Sequence, residues 1–115
     1  MSVGEGDRAM TTPSPISIVA IATAVPGREQ ALRAAQETLV AETVKEPGCL
    51  RYELHQSLDG GRTLVFVERW ASEAAWRTHM QGAAIRRFQA SGAGRLIQNF
   101  SLLRLALVAD GATAA

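Results

Sequence analysis

The chain has a single cysteine, Cys49, in 115 residues. No disulfide can close within it, and no multi-thiolate metal site can be built. Histidine is nearly as scarce, with only His55 and His79, a poor basis for a metal site. Neither sign of charge is in excess: 12 Lys and Arg stand against 11 Asp and Glu, for a net charge of +1. An electrostatic nucleic-acid binder needs a clear basic excess, so no nucleic-acid partner is expected. Long hydrophobic runs are missing too. The longest, residues 16–25, holds ten residues and includes Ser17 and Thr23, against the roughly 20 apolar residues of a membrane-spanning helix. No apolar stretch follows Arg8, so no secretory signal is expected and the cytoplasm is the default location. Gly92-Ala93-Gly94 is too short for a dinucleotide fingerprint and precedes a strand rather than a helix. The metalloprotease and serine-elbow motifs are absent.

What is present is the composition of an ordinary globular domain, 47% hydrophobic and 20% charged. Residues 1–15, with Gly4, Gly6, Pro13 and Pro15, read as a flexible tail, and residues 109–115 as another. The domain is expected over residues 16–108. Within it, 16–23 alternates as a strand, with Ile16, Ile18, Ala20 and Ala22 on one face and Ser17, Val19, Ile21 and Thr23 on the other. Pro26-Gly27 interrupts. Residues 28–45 follow a helical period, with Leu32, Ala35, Leu39, Val40 and Val44 on one stripe, and Pro47-Gly48 stops it. Residues 49–58 and 63–71 read as two strands joined by a hairpin at Asp59-Gly60-Gly61-Arg62. Ser72 is an N-cap candidate for a short helix to Met80. A second helical stretch runs over 83–91, and 95–108 reads as a long last strand.

The order β-α-β-β-α-β is the ferredoxin-like split βαβ motif of the α+β class. It predicts a four-stranded antiparallel sheet with the first and third strands central and the helices on one face. The other face should be polar in a solitary monomer. Yet Leu64-Val65-Phe66-Val67, residues 18–21 and Leu102-Leu103 are apolar on both faces, and Leu105-Ala106-Leu107-Val108 extends the last run, leaving a large patch that soluble monomers avoid. A homodimer packed through the helix-free sheet face is therefore expected.

Few residues could carry chemistry. His79 shares a helix stripe with Ala75, Trp76 and Met80; it either shuttles protons or is a hydrogen-bonded structural histidine. Glu68 either pairs with an arginine such as Arg51 or is a perturbed carboxylate in a pocket. Trp70 packs where strand meets helix, with or without a ligand contact. Tyr52 offers a phenol to a ligand oxygen or simply packs. His55 reads foremost as a partly exposed strand residue, and Cys49 as a small apolar one. Two hairpin registers remain open. A two-residue turn at Gly60-Gly61 sets His55 against Phe66, Glu53 against Glu68 and Arg51 against Trp70. A one-residue slip sets Tyr52, Leu54 and Gln56 beside Phe66, Glu68 and Trp70 instead.

The stretch Glu46-Pro47-Gly48-Cys49-Leu50-Arg51-Tyr52-Glu53-Leu54, then Val67-Glu68-Arg69-Trp70 and the helical His79, resembles the antibiotic biosynthesis monooxygenase domain family. The resemblance implies a dimeric α+β barrel with a pocket between sheet and helices. It also implies a monooxygenase, like the quinol monooxygenases, that oxidises a small phenolic, quinol or polyketide-type aromatic with O₂ and uses no metal, flavin or haem. On this sequence His79, Tyr52 and Glu68 take the catalytic part. Trp70, Phe66, Phe88, His55 and Asn99 take the substrate-binding part. A haem-degrading branch uses Asn, Trp and His where this chain has Ala20, His79 and Gln89, so that activity is not expected. The same fold also hosts isomerases and non-catalytic small-molecule binders.

Overall fold

The computed structural model describes residues 14–111. Nearly all of the expected N-terminal tail therefore lies outside the described residues. Four strands form one antiparallel sheet: β1 (Ile16–Ala24), β2 (Cys49–Gln56), β3 (Thr63–Trp70) and β4 (Ile97–Leu105). Its order is β2-β3-β1-β4, so the first and third strands are central. Three helices accompany it: α1 (Glu29–Thr43), α2 (Glu73–Met80) and α3 (Ala83–Ala90). The architecture is α+β and ferredoxin-like.

The helices cover one sheet face, and burial along the strands records this. Ile18, Ala20, Ala22 and Ala24 of β1 are buried, as are Leu64, Phe66, Glu68 and Trp70 of β3, while the residues between them are half-buried. The small alanines of β1 let the helices approach closely. Tyr52, Leu39, Ala84 and Ile85 complete the core beneath them. A second cluster, Ala22, Ala24, Leu32 and Leu64, closes the opposite end of the layer.

Two expectations need correction, and one open choice is decided. The buried stripe of α1 is Leu32, Gln36, Leu39 and Thr43, not the expected Leu32, Ala35, Leu39, Val40 and Val44. Val44 caps the helix and is exposed. The stripe is turned toward the sheet by the 4-3-4 spacing, which takes in a glutamine and a threonine. The last strand is also shorter than expected. Gly92, at φ 83, ends α3, and a 3₁₀ turn over Ala93–Leu96 precedes β4. At its other end β4 stops at Leu105, opposite Ser17, because its one neighbour β1 begins there. Of the two hairpin registers left open, the one that pairs Asp59 with Arg62 is not formed. The amide of Ser57 donates to Thr63 O at 2.8 Å, and the Gln56 side chain donates to Gly61 O at 2.8 Å. Gly60 and Gly61 hold φ of 96° and 74°, which only glycine adopts readily. The slipped register results, with Tyr52 opposite Glu68, Leu54 opposite Phe66 and Gln56 opposite Leu64. It covers Tyr52 and Leu54 with helices and leaves Glu53 and His55 in solvent; the other register would bury a charge pair.

Candidate active site

The helix that carries His79 is short and needs a firm start. Ser72 supplies it: its hydroxyl accepts from the amide of Ala75 at 3.1 Å, satisfying one of the orphan donors of the first turn. Two turns later His79 enters the layer and is 2% exposed. Its ring lies 4.7 Å from the Trp70 ring at an interplanar angle of 30° and meets the Tyr52 ring edge-on at 5.4 Å. Tyr52 in turn lies 5.0 Å from Phe66. These side chains come from α2, β2 and β3, and the hairpin register is what brings the Tyr52 ring into the group.

His79 Nδ1 is 2.8 Å from Glu46 Oε1. Glu46 stands on the turn between α1 and β2, and Gly48 fixes that turn. Gly48 has φ 82, and an added Cβ would come within 2.6 Å of Ala75 Cβ on α2. The turn thus sits directly against the helix that carries His79.

Glu68 is buried in mid-strand, and its Oε1 accepts from Trp70 Nε1 at 2.9 Å. It does not pair with Arg51, which projects from the other face beside Glu53. Burial pushes the Glu68 carboxyl up to about 7, opposed by the Trp70 hydrogen bond. Burial likewise raises the Tyr52 phenol, helped by the Glu68 charge. His79 is lowered by burial, against the opposing hydrogen bond and charge of Glu46. The Cys49 thiol is raised, first by burial and then by Glu46 and Glu68, which suits an inert structural cysteine.

A cavity of about 290 Å³ opens beside this group, at the low end of the range for small-molecule sites. Phe66, Leu39, Ile85, Phe88, Leu102 and Phe100 make its walls mostly apolar. Tyr52, Glu68, His79, Gln36 and Gln89 bring polar atoms to it. Gln36 is 2% exposed, and its Oε1 has no hydrogen-bond partner among the described residues. Two other buried polar atoms share that condition, Thr43 Oγ1 and Trp76 Nε1, but only Gln36 lines the cavity. Among the described residues no three His, Cys, Asp or Glu side chains are grouped as metal ligands. None of the described helices is long and apolar enough to cross a membrane.

Residues 15–91 match the family model for antibiotic biosynthesis monooxygenase. The chain belongs to the antibiotic biosynthesis monooxygenase family. The Mycobacterium tuberculosis protein Rv0793 is 38% identical over 66 residues, covering 57% of this chain and 64% of that protein. The sequence match thus spans a little under two thirds of that relative. The structure of Rv0793 aligns at a TM-score of 0.77 and 29% identity, over 86% of this chain and 100% of the other. PA3566 from Pseudomonas aeruginosa aligns at 0.78 and 33% identity, over 85% of this chain and 98% of the other.

In this member of the antibiotic biosynthesis monooxygenase family, the expected site residues divide. Tyr52, Glu68, His79, Phe66 and Phe88 line the one cavity. Trp70 does not line it; it lies behind His79 and Tyr52 and donates to Glu68. His55 and Asn99 lie elsewhere. His55 is opposite Val65 and Asn99 opposite Thr23, both on the helix-free face; His55 bonds only to the exposed Glu53. Gln36 and Glu46 were not among the expected site residues. A glutamine at a core spacing of α1 is the signal that could have found Gln36. For Glu46 no sequence pattern points to His79, 33 residues away.

Proposed function

We propose that this protein is a cofactor-free monooxygenase acting on a small hydroxylated aromatic, a phenol or quinol, with O₂ as co-substrate. The observation that carries the reading is one aromatic-walled cavity lined at once by Tyr52, Glu68 and His79. Membership of the family supports the class of reaction.

The residues fit the steps such chemistry needs. A neutral His79 accepts the proton of a ring hydroxyl. The resulting anion is electron-rich enough to give electrons to O₂. One oxygen atom replaces a ring hydrogen ortho or para to a hydroxyl. The substrate loses two hydrogens in all, and the second oxygen atom leaves as water. A phenol plus O₂ thus becomes a quinone plus water. The protonated Glu68 carboxyl and the Tyr52 hydroxyl are donors for developing negative charge on oxygen. The mostly apolar walls limit the water around the reacting oxygen.

The experiment is oxygen uptake by the chelator-treated protein over a panel of hydroquinones, phenols and anthrones. Uptake that is lost in His79→Ala is the expected result. No uptake across the panel would remove the monooxygenase reading.

The working unit in this reading is a homodimer in the cytoplasm. The helix-free face presents Val19, Ile21, Val65 and Val67, with Leu103 and Leu105 51% and 41% exposed beside them. Arg51, Glu53 and His55 form a polar rim on β2. An apolar centre with a polar rim is the anatomy of a packed sheet-on-sheet interface. Sedimentation at micromolar concentration should give twice the chain mass.

A further inference from the structure

His79 is 2% exposed, yet it borders two separate spaces. It lines the buried cavity, and it also lines a separate outer groove of about 540 Å³ formed by the 46–48 turn and helices α2 and α3. No other residue is common to the two. On the groove side its Nδ1 meets Glu46 at 2.8 Å, and the Glu46 side chain is 22% exposed. Its other ring nitrogen, Nε2, has no partner among the described hydrogen bonds.

We infer that Glu46 and His79 form a proton relay that connects the buried cavity to the outer groove. The inference rests on the proposed proton chemistry for its purpose, though not for its test. A proton released by a ligand hydroxyl goes to His79 Nε2. The Nδ1 proton passes to the Glu46 carboxylate, and from there to groove water. The ring is then the other neutral tautomer, and its Nε2 proton is available for return to the cavity. The return transfer and uptake of a proton through Glu46 restore the starting state. No electron moves in the relay and no proton is gained or lost overall. The groups facing the ring are Glu46 from the turn, Tyr52 from β2 and Trp70 from β3. Of these, Glu46 alone stands in the outer groove. Glu46 is a positioning and relay residue and never touches the ligand.

The chain holds only two histidines, and His55 makes an exposed pair with Glu53 at 3.0 Å. It serves as an internal control. The test is the rate of ring N–H exchange with solvent, read by NMR on the full protein labelled with ¹⁵N-histidine. In Glu46→Gln the exchange at His79 should slow by about 10-fold or more, with His55 unchanged. Glu46→Asp keeps a carboxylate one methylene further back and should fall between. If Glu46 only holds the turn against the helix, both variants loosen that contact and exchange at His79 becomes faster. Faster or unchanged exchange in Glu46→Gln overturns the relay. The measurement needs no substrate, so slowed exchange in a protein that consumes no O₂ would keep the relay and discard only the oxygenase reading.

Discussion

The two faces of the sheet are built from the same strands and do opposite things. On β3, Leu64, Phe66, Glu68 and Trp70 are buried beneath the helices, whereas Val65 and Val67 between them are half-buried. The covered face holds a carboxyl, a phenol and an imidazole, each with its charged form disfavoured first of all by burial. The bare face carries Arg51, Glu53 and His55 paired in solvent at the β2 edge, and a half-buried Arg69 on β3. Both faces are apolar in composition. What separates them is whether polar atoms are removed from water, and only the helices do that. A glutamate therefore changes its chemistry by moving one position along a strand.

The most severe way to break this comparison is Phe66→Glu. It deletes a buried aromatic and places a carboxylate in the layer, at a cost of about 5 kcal/mol or more, comparable to the stability of a whole domain. Loss of a cooperative thermal transition is expected; a transition close to wild type would mean that water already reaches this face.

Glu68 sharpens the comparison next. Its folded value of about 7 lies above the ordinary 4.5. The native state thus holds a proton that the unfolded chain gives up, and stability falls as pH rises between those values. The loss is about 3 kcal/mol, complete above pH 7. From pH 5 to pH 8 the urea midpoint of wild type should fall relative to that of Glu68→Gln, which keeps the opposing gain from the lowered His79. A wild-type midpoint that does not fall relative to Glu68→Gln contradicts the buried-carboxyl account.

Ser72→Ala removes the cap beneath the helix that carries His79, and about 1 kcal/mol should be lost. Thermal melts read this directly, and an unchanged melting temperature would show that the cap is dispensable. The smallest effect on folding is expected for Val67→Glu, next to Phe66 but on the bare face. Its change in folding stability should stay near 0.5 kcal/mol or about that order. Its effect on assembly should be large, with sedimentation falling from two chains to one. A Val67→Glu protein that sediments unchanged would place the interface elsewhere.

Much of this was readable from the residues. Period-2 and period-3.6 patterns place every strand and helix, and the rule for crossovers places β1 and β3 in the centre. The register of β2 was not readable, because a Gly-Gly hairpin accepts loops that differ by one residue. That choice decides whether Tyr52 or His55 faces the cavity. Gln36 was hidden for a related reason. Counting apolar residues favours Ala35 and Val40, while the helix as packed buries a glutamine and a threonine between leucines. The Glu46–His79 contact joins a turn to a helix from opposite sides of a hairpin, and no local pattern encodes such a meeting. Phe66 and Phe88 stood out as apolar residues on patterned elements, and both reach the cavity.

The hairpin loop at residues 57–62 has a meaning for inheritance. Extra residues absorbed within the loop leave the protein as it is. A change in length that slides β2 by one position would turn Tyr52 outward and carry Glu53 and His55 under the helices. The cavity would then exchange a phenol for a carboxylate and an imidazole without one point substitution in its walls. In descent from a common ancestor, the lengths of turns at this sheet edge can therefore alter chemistry as decisively as the side chains themselves.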